Sequence, residues 1–156
     1  LLHETLHRSH DLSRIKMGDY IRTLTGHLFR SYGVDPNLIS LELNVDDVEF
    51  DIDTGLTCGL IIDELVSNCL KHAFIDDSGG TVHIDLLDHV DGTFTLCVSD
   101  NGIGIPKDGV LNNPDSLGLE LVTLLAEKLD GSTELRSGAG TEWQIRFQQL
   151  QYSERV

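Results

Sequence analysis

The segment richest in chemistry in this 156-residue chain is an apolar stretch from about Gly55 to Phe74 that carries a few charged and amide side chains. Its hydrophobic residues surround most of a helical circumference, so their spacing predicts a buried helix. Within it, Glu64, Asn68 and the Lys71–His72 pair recur along one stripe of that helix. Such side chains need partners, because leaving a polar group buried and unpaired costs several kcal/mol.

A magnesium-bound phosphate group would satisfy these side chains together. The Asn68 amide oxygen suits a hard cation, Lys71 suits a phosphate oxygen, and Glu64 can orient or deprotonate a nucleophile. The alternative is a helix edge at a water interface, where Glu64 pairs with Lys71 or His72. This stretch by itself leaves both interpretations open.

A second element follows a predicted strand and begins at Asp100. An Asp at a strand end can accept a hydrogen bond from an exocyclic amine such as the adenine 6-amino group. Gly102 and Gly104 let the backbone approach a ligand where a Cβ would clash. The alternative is a hairpin turn at Asn101-Gly102. However, 13 residues without a pattern separate Gly104 from Gly118, and loops of that length are more often functional than idle.

A third element is the Ser116–Leu119 segment, which opens a predicted helix from about Leu117 to Leu129 and contains Gly118. The free N–H groups and the positive dipole end of a helix can hold a polyphosphate. Serine and glycine are also ordinary residues at helix starts, so this segment alone indicates little. The three elements in this order along the chain indicate a nucleotide site.

The remaining periodicities predict the scaffold that positions these residues. A helix is predicted from about Met17 to Tyr32, with Gly33 as its stop. Alternating apolar residues predict strands at Ile39–Val45, Thr81–Leu87, Thr93–Ser99, Thr133–Arg136 and Thr141–Gln148. One-sided strands with about three helices predict an α+β fold, a two-layer α/β sandwich with a mixed, mostly antiparallel sheet covered on one face.

The acidic run Asp46–Asp53 lacks the spacing of a calcium loop, and we interpret it as a solvated edge and a helix lead-in. Asp53 or Thr54 is the expected N-cap of the central helix. The three cysteines lack metal-ligand spacing and are expected to be small buried hydrophobic residues in a reducing compartment. His27, His83 and His89 are expected at the surface.

Acidic residues dominate the charge, with 26 Asp and Glu against 11 Lys and Arg and a formal net charge of −15. This field argues against nucleic acid or an anionic membrane as a partner. A phosphate ligand would therefore depend on local dipoles, a metal or a few placed cations. With no apolar run of membrane-spanning length and no signal peptide, we expect a soluble, cytoplasmic domain and leave open whether a longer parent is membrane-anchored.

The combined motifs resemble those of the ATPase superfamily shared by DNA gyrase, the heat-shock chaperone ATPase, histidine kinases and the MutL proteins. Residues 64–73 resemble the N box, residues 100–106 the first glycine box, and residues 116–122 the second. Residues 140–147 resemble the closing strand, in which Thr141 would support the adenine site. Within the superfamily, the segments 2–15, 20–33 and 58–74 are most similar to histidine kinases with the HisKA_2-type dimerisation domain.

This resemblance implies a role for each motif residue. It implies that Asn68 binds Mg²⁺, that Glu64 and Lys71 are catalytic at the phosphate end, and that Asp100 recognises adenine. It implies that the remaining nucleotide-binding positions are His72, Gly102, Gly104, Gly118, Leu119 and Thr141. One departure is Asp63, where this subfamily usually has Asn; being adjacent to Glu64, it is expected to point elsewhere and to matter little.

The resemblance also implies a domain organisation. Residues 1–16 would be a helical remnant of the dimerisation and phosphoacceptor region, 17–150 the ATP-binding catalytic domain, and 151–156 a tail. The histidines near the N-terminus align after the acceptor helix, so no phosphoacceptor is expected here. The expected reaction moves the γ-phosphoryl group of ATP to a histidine on an absent dimerisation domain. A response regulator would then accept the phosphoryl group. The full-length protein would be a homodimeric sensor histidine kinase.

Three rival functions are weighed against this one. An anti-sigma-type protein-serine kinase of the same superfamily shares the motifs, but the leading HisKA_2-like segment favours a histidine substrate. A non-catalytic nucleotide-binding interaction module is disfavoured by the presence of Glu64, Asn68 and Asp100. A zinc peptidase is suggested only by the His3–His7 segment, and His10 stands where the extended pattern requires glycine.

Overall fold

The computed structural model describes residues 14–74, 79–102 and 116–149. Its strands are β1 (Arg14–Lys16), β2 (Ile39–Val45), β3 (Glu49–Asp51), β4 (Gly80–Asp88), β5 (Thr93–Asp100), β6 (Ser132–Gly138) and β7 (Gly140–Gln148). Its helices are α1 (Met17–Ser31), α2 (Ile52–Asn68), which continues into a π-helical turn (Cys69–Ala73), and α3 (Ser116–Lys128).

Five of the described strands form the main sheet in the order β2-β4-β5-β7-β6. Among them β2 and β4 pair in parallel, and the other neighbours are antiparallel. With three helices in the described part of the chain, this confirms the predicted α+β fold and its mixed, mostly antiparallel sheet. Strand β5 lies in the centre, so its last residue, Asp100, emerges between β4 and β7.

One face of the sheet carries the apolar core, as the alternating sequence predicts. Ile84 lies opposite Val98, and Leu96 lies between Leu86 on β4 and Ile145 on β7. These side chains are essentially inaccessible to solvent, as are core residues from all three helices. Each fully buried Ile or Leu contributes roughly 1.5–3 kcal/mol, so the core rigidly supports the ends of these strands.

A separate two-stranded ribbon, β1 with β3, was not predicted. Residues 14–16 were expected in a helix, but they form a strand antiparallel to Glu49–Asp51. The acidic residues around β3 are exposed or half-buried, as expected of a solvated edge, and the run leads into helix α2. Phe50 within it is fully buried, however, and packs edge-on against Phe94 and Phe147, with ring centroids 4.8 and 5.8 Å away. The predicted helix over residues 1–13 lies outside the described residues.

Helix α2 begins three residues earlier than predicted. Its N-cap is Asp51, whose side chain accepts a hydrogen bond from the Thr54 N–H at 2.9 Å. Asp53, an expected cap, instead lies in the first turn, where its charge favours the helix dipole. The cap differs because β3 brings Asp51 to the helix start in extended conformation. Among the described residues, no helix is long and apolar enough to cross a membrane.

Candidate functional site

The Asp100 carboxylate is held by donors from two directions. The Gly102 N–H donates to Asp100 Oδ1 at 2.9 Å, which forms a local turn at the end of β5. The Cys69 thiol donates to Asp100 Oδ2 at 3.2 Å from the end of helix α2. A carboxylate oxygen can accept more than one hydrogen bond, so both oxygens keep capacity for a ligand amine.

Thr141 lies directly opposite Asp100 in the antiparallel pairing of β5 with β7. Opposed residues in such a pair project from the same face, so the hydroxyl and the carboxylate share one side of the sheet. Gly140, just before it, has a φ of 129°. A Cβ at this position would overlap the Asp100 carbonyl oxygen, so a glycine is required where the two strands meet.

Asn101 anchors the segment that leaves β5. Its side-chain oxygen accepts from the Thr81 N–H at 2.8 Å, and its own N–H donates to the Thr81 carbonyl at 3.3 Å. The side chain thus continues the pairing with β4 by one position after the strand ends. From the sequence, Asn101 is predicted only as a turn residue. Its amide beside the strand-end Asp100 is the signal that could have identified this anchoring role.

The α2 residues that were expected at the phosphate end differ in how they are placed. Glu64 and Asn68, one helical turn apart, are both half-buried. From Cys69 the backbone follows a π-helical turn, which is frequent at functional sites and uses i→i+5 spacing. A single stripe requires the spacing of a regular α-helix, which holds for Glu64 and Asn68 but not for Lys71 and His72 in the π-helical turn.

Lys71 and His72 are exposed. The Lys71 ammonium lies 6.0 Å from the ring centroid of Tyr32, at the end of α1, where a cation–π attraction contributes modestly. The assignment of Lys71 and His72 to the phosphate end therefore stays a prediction.

Asp63 faces helix α1 rather than the site, as expected from its place beside Glu64. Its carboxylate accepts from the Ser67 hydroxyl at 3.3 Å. Burial, and then the negative charge of Asp63, raise the pKa of the nearby Tyr20 hydroxyl. This side chain belongs to the contact between α1 and α2.

The glycine positions are described only in part. Gly118 and Leu119 fall in the first turn of α3, as predicted for a helix start. Gly104 lies outside the described residues, together with the rest of the 103–115 loop. An open cavity of about 440 Å³ lies at the ends of β5, β6 and β7, and its lining includes Asp100, Thr141 and residues 136–140. It adjoins the predicted base-binding end, and Asn68 does not line it.

The donor set fits a magnesium ion held mainly by a nucleotide. Across the described ranges, no group of three or more His, Cys, Asp or Glu side chains is arranged to hold a metal ion. Mg²⁺ bound with a nucleoside triphosphate needs few protein ligands, because phosphate oxygens and waters complete its octahedron. The Asn68 amide oxygen would supply such a ligand.

Comparison with known families and structures decides which nucleotide-binding family this is. The profile of the histidine kinase-, DNA gyrase B- and HSP90-like ATPases matches residues 55–151, more than half of the chain. This chain belongs to that ATPase family. A second profile, a histidine kinase profile named HisKA_2, matches residues 1–32 of the ATPase chain and so includes helix α1. In the fold, the buried residues of α1 join the same core as those of α2.

Similar proteins are histidine kinases. The ATPase domain is 31% identical over 104 residues to Blue-light-activated histidine kinase 2 of Erythrobacter litoralis, covering 66% of this chain and 30% of that protein. It is 35% identical over 100 residues to the sensor histidine kinase PdtaS of Mycobacterium tuberculosis, covering 62% of this chain and 20% of that protein. The chain thus spans less than a third of these relatives.

Solved structures agree with this assignment. The histidine kinase domain of the Erythrobacter litoralis EL346 blue-light activated histidine kinase superposes with a TM-score of 0.78 at 26% identity, covering 86% of this chain and 62% of that one. The mycobacterial sensor histidine kinase MprB has a TM-score of 0.70 at 20% identity, covering 87% and 96%, and supports the fold alone. The chain therefore carries an ATP-binding domain of the kind found in histidine kinases.

Proposed function

We propose that this domain transfers the γ-phosphoryl group of Mg²⁺-ATP to a histidine on a dimerisation and phosphoacceptor domain of the same protein. The full-length protein would act as a homodimer in the cytoplasm and pass the phosphoryl group to a response regulator. The observation that carries the proposal is the placement of Asp100. Its carboxylate is fixed by two donors, opposite Thr141 and joined to the helix that bears Asn68.

The base would be recognised at the strand ends. Asp100 accepts a hydrogen bond from the adenine 6-amino group. Thr141 lies on the same face of the sheet and supports the adenine site. A carboxylate acceptor favours adenine over a purine with a 6-oxo group, because that group presents no donor. Gly102 and Gly104 let the following backbone pass close to the nucleotide.

The phosphate end would lie along α2 and at the start of α3. Asn68 would hold Mg²⁺ through its amide oxygen, and Glu64 accepts the proton of the acceptor imidazole or orients that ring. When bound, the metal ion would neutralise phosphate charge. The first turn of α3, with Gly118 and Leu119, offers free N–H groups to a phosphate, and Lys71 and His72 add positive or polar contacts. Catalysis would rest mainly on positioning.

A histidine acceptor is supported over a serine acceptor by the HisKA_2 match at residues 1–32. The test is the chemical stability of the phosphorylated product. The domain is incubated with labelled ATP and the phosphoacceptor domain of its parent protein, and the product is exposed to acid and to base. A label lost in acid and kept in base identifies phosphohistidine, as we expect. A label that survives acid would point to the anti-sigma-type serine kinase.

Replacing Asn68 with alanine is expected to remove the magnesium dependence of ATP binding. The wild-type domain should bind ATP more tightly with Mg²⁺ than with EDTA, whereas Asn68→Ala should bind ATP equally under both conditions. Its affinity should be roughly tenfold lower than that of the wild type with Mg²⁺, since one charge-assisted contact contributes about 1.5 kcal/mol. Calorimetric titration measures both values. Asn44→Ala, at an exposed position on β2, is the control and should keep the wild-type dependence. A magnesium response retained in Asn68→Ala would remove the metal role from this residue.

A further inference from the structure

The hydrogen bond from Cys69 to Asp100 joins two parts of the site that are 31 residues apart in sequence. Cys69 follows Asn68 directly and is the first residue of the π-helical turn. Asp100 is the last residue of β5. This contact is therefore a direct side-chain link between the proposed metal-binding helix and the proposed base-recognising strand.

The Cys69 thiol is placed to donate to Asp100. Only 8% of the residue is exposed to solvent, so water has little access to the contact. Its Sγ lies 3.2 Å from Asp100 Oδ2, and the S–H is a donor where a carboxylate oxygen is an acceptor.

The geometry of Asp100 shows what this donor accomplishes. The Gly102 N–H occupies one carboxylate oxygen, Oδ1, and the thiol occupies the other, Oδ2. With one donor on each oxygen, rotation of the carboxylate about its last torsion would break a hydrogen bond in either direction. Within the part of the chain that the structure describes, the thiol is the donor on Oδ2, so without it the plane of the carboxylate can turn.

We propose that Cys69 is a positioning residue for base recognition, whose thiol holds the Asp100 carboxylate in the plane that accepts the adenine 6-amino group. This inference rests on the proposed function, in which Asp100 recognises adenine. It assigns to Cys69 an effect on which purine is preferred, beyond the contribution that a small buried side chain makes to packing.

The test compares ATP with ITP, whose base carries a 6-oxo group in place of the amine. Dissociation constants for both nucleotides are measured calorimetrically for the wild-type domain, Cys69→Ala and Cys69→Ser. We expect Cys69→Ala to bind ATP roughly fivefold more weakly, the effect of losing one weak donor to a charged acceptor. Its affinity for ITP should be unchanged, so the preference for ATP falls by the same factor. Cys69→Ser keeps a donor and should keep the wild-type preference.

Cys97 provides a matched control. It is also 8% exposed, and its thiol also donates to a carboxylate, Glu142 Oε1, at 3.3 Å. Cys97→Ala should therefore lose an equivalent bond without changing the ratio of ATP to ITP affinity. Thermal unfolding of each variant confirms that the domain is folded under the titration conditions.

The outcomes separate the two levels of the proposal. An unchanged nucleotide preference in Cys69→Ala, or an equal loss in Cys69→Ser, would overturn the positioning role while leaving adenine recognition by Asp100 intact. Equal loss of ATP and ITP affinity in Cys69→Ala would likewise assign the residue to packing alone. If the wild-type domain does not prefer ATP over ITP, the assignment of Asp100 itself fails, and the inference about Cys69 fails with it.

Discussion

The Asp100→Asn variant is expected to bind ATP about 30- to 100-fold more weakly than the wild-type domain. In the proposed complex, the carboxylate accepts from three donors, namely the Gly102 N–H, the Cys69 thiol and the adenine amine. An asparagine amide has one acceptor oxygen and adds an NH₂ group of its own, so at least one donor faces another donor. Losing a charge-assisted hydrogen bond and leaving a donor unpaired costs about 2–2.7 kcal/mol, which corresponds to that factor.

Calorimetric titration of Mg²⁺-ATP measures this effect, and Asp88→Asn is its control. Asp88 also ends a strand, and its side chain also accepts from the N–H two residues ahead, that of Val90 at 2.8 Å. The two aspartates thus share a local geometry, but Asp88 lies at the opposite end of β4 from the residues beside Asp100. Asp88→Asn should leave ATP binding unchanged. Equal binding by Asp100→Asn and wild type would show that the base is recognised elsewhere.

The Gly140→Ala variant is expected to lose about 2–4 kcal/mol of unfolding free energy and part of its ATP affinity. At a φ of 129°, an alanine is strained whatever space surrounds it. In addition, its Cβ would overlap the Asp100 carbonyl oxygen and crowd the Asn101 backbone. Relief of that overlap must push β7 away from β5 or displace Asp100, and either movement disturbs the proposed base-binding position.

Gly138→Ala tests whether this sensitivity belongs to the turn or to one residue. Gly138 is the cross-strand partner of Gly140, but a Cβ there meets nothing within 4 Å. We expect its unfolding free energy to change by no more than about 0.5 kcal/mol. Urea unfolding measures the stability of both variants, and ATP titration measures the site. Similar losses in the two variants would place the sensitivity in the turn as a whole.

The elements with a long periodic signal were predicted well. Alternation over seven to nine residues in β2, β4 and β7 identified each strand and its buried face. The apolar circumference of α2 identified a buried helix, and residue types and spacing singled out Glu64, Asn68 and Asp100, whose roles stay predictions. These signals are local, because side-chain periodicity follows directly from backbone geometry.

Short elements escaped prediction for the converse reason. Strands β1 and β3 contain three residues each, which is too few to establish an alternation. The cap at Asp51 rather than Asp53 follows from how β3 enters the helix, and the choice among nearby acidic residues has no local signature. The π-helical turn after Asn68 likewise carried no sequence signal, so Lys71 was placed on a stripe that a regular helix alone would produce.

By itself, the sequence determined the fold class, the order of the main elements and the residue types that point to a nucleotide site. Only the tertiary structure decided that Thr141 faces Asp100, that Gly140 admits no side chain, and that Cys69 donates to the Asp100 carboxylate. Periodicity and motifs depend on neighbours along the chain, whereas these contacts depend on strand register and on the packing of a helix end against a strand end. Those relations exist only once residues distant in sequence have been brought together in the folded core.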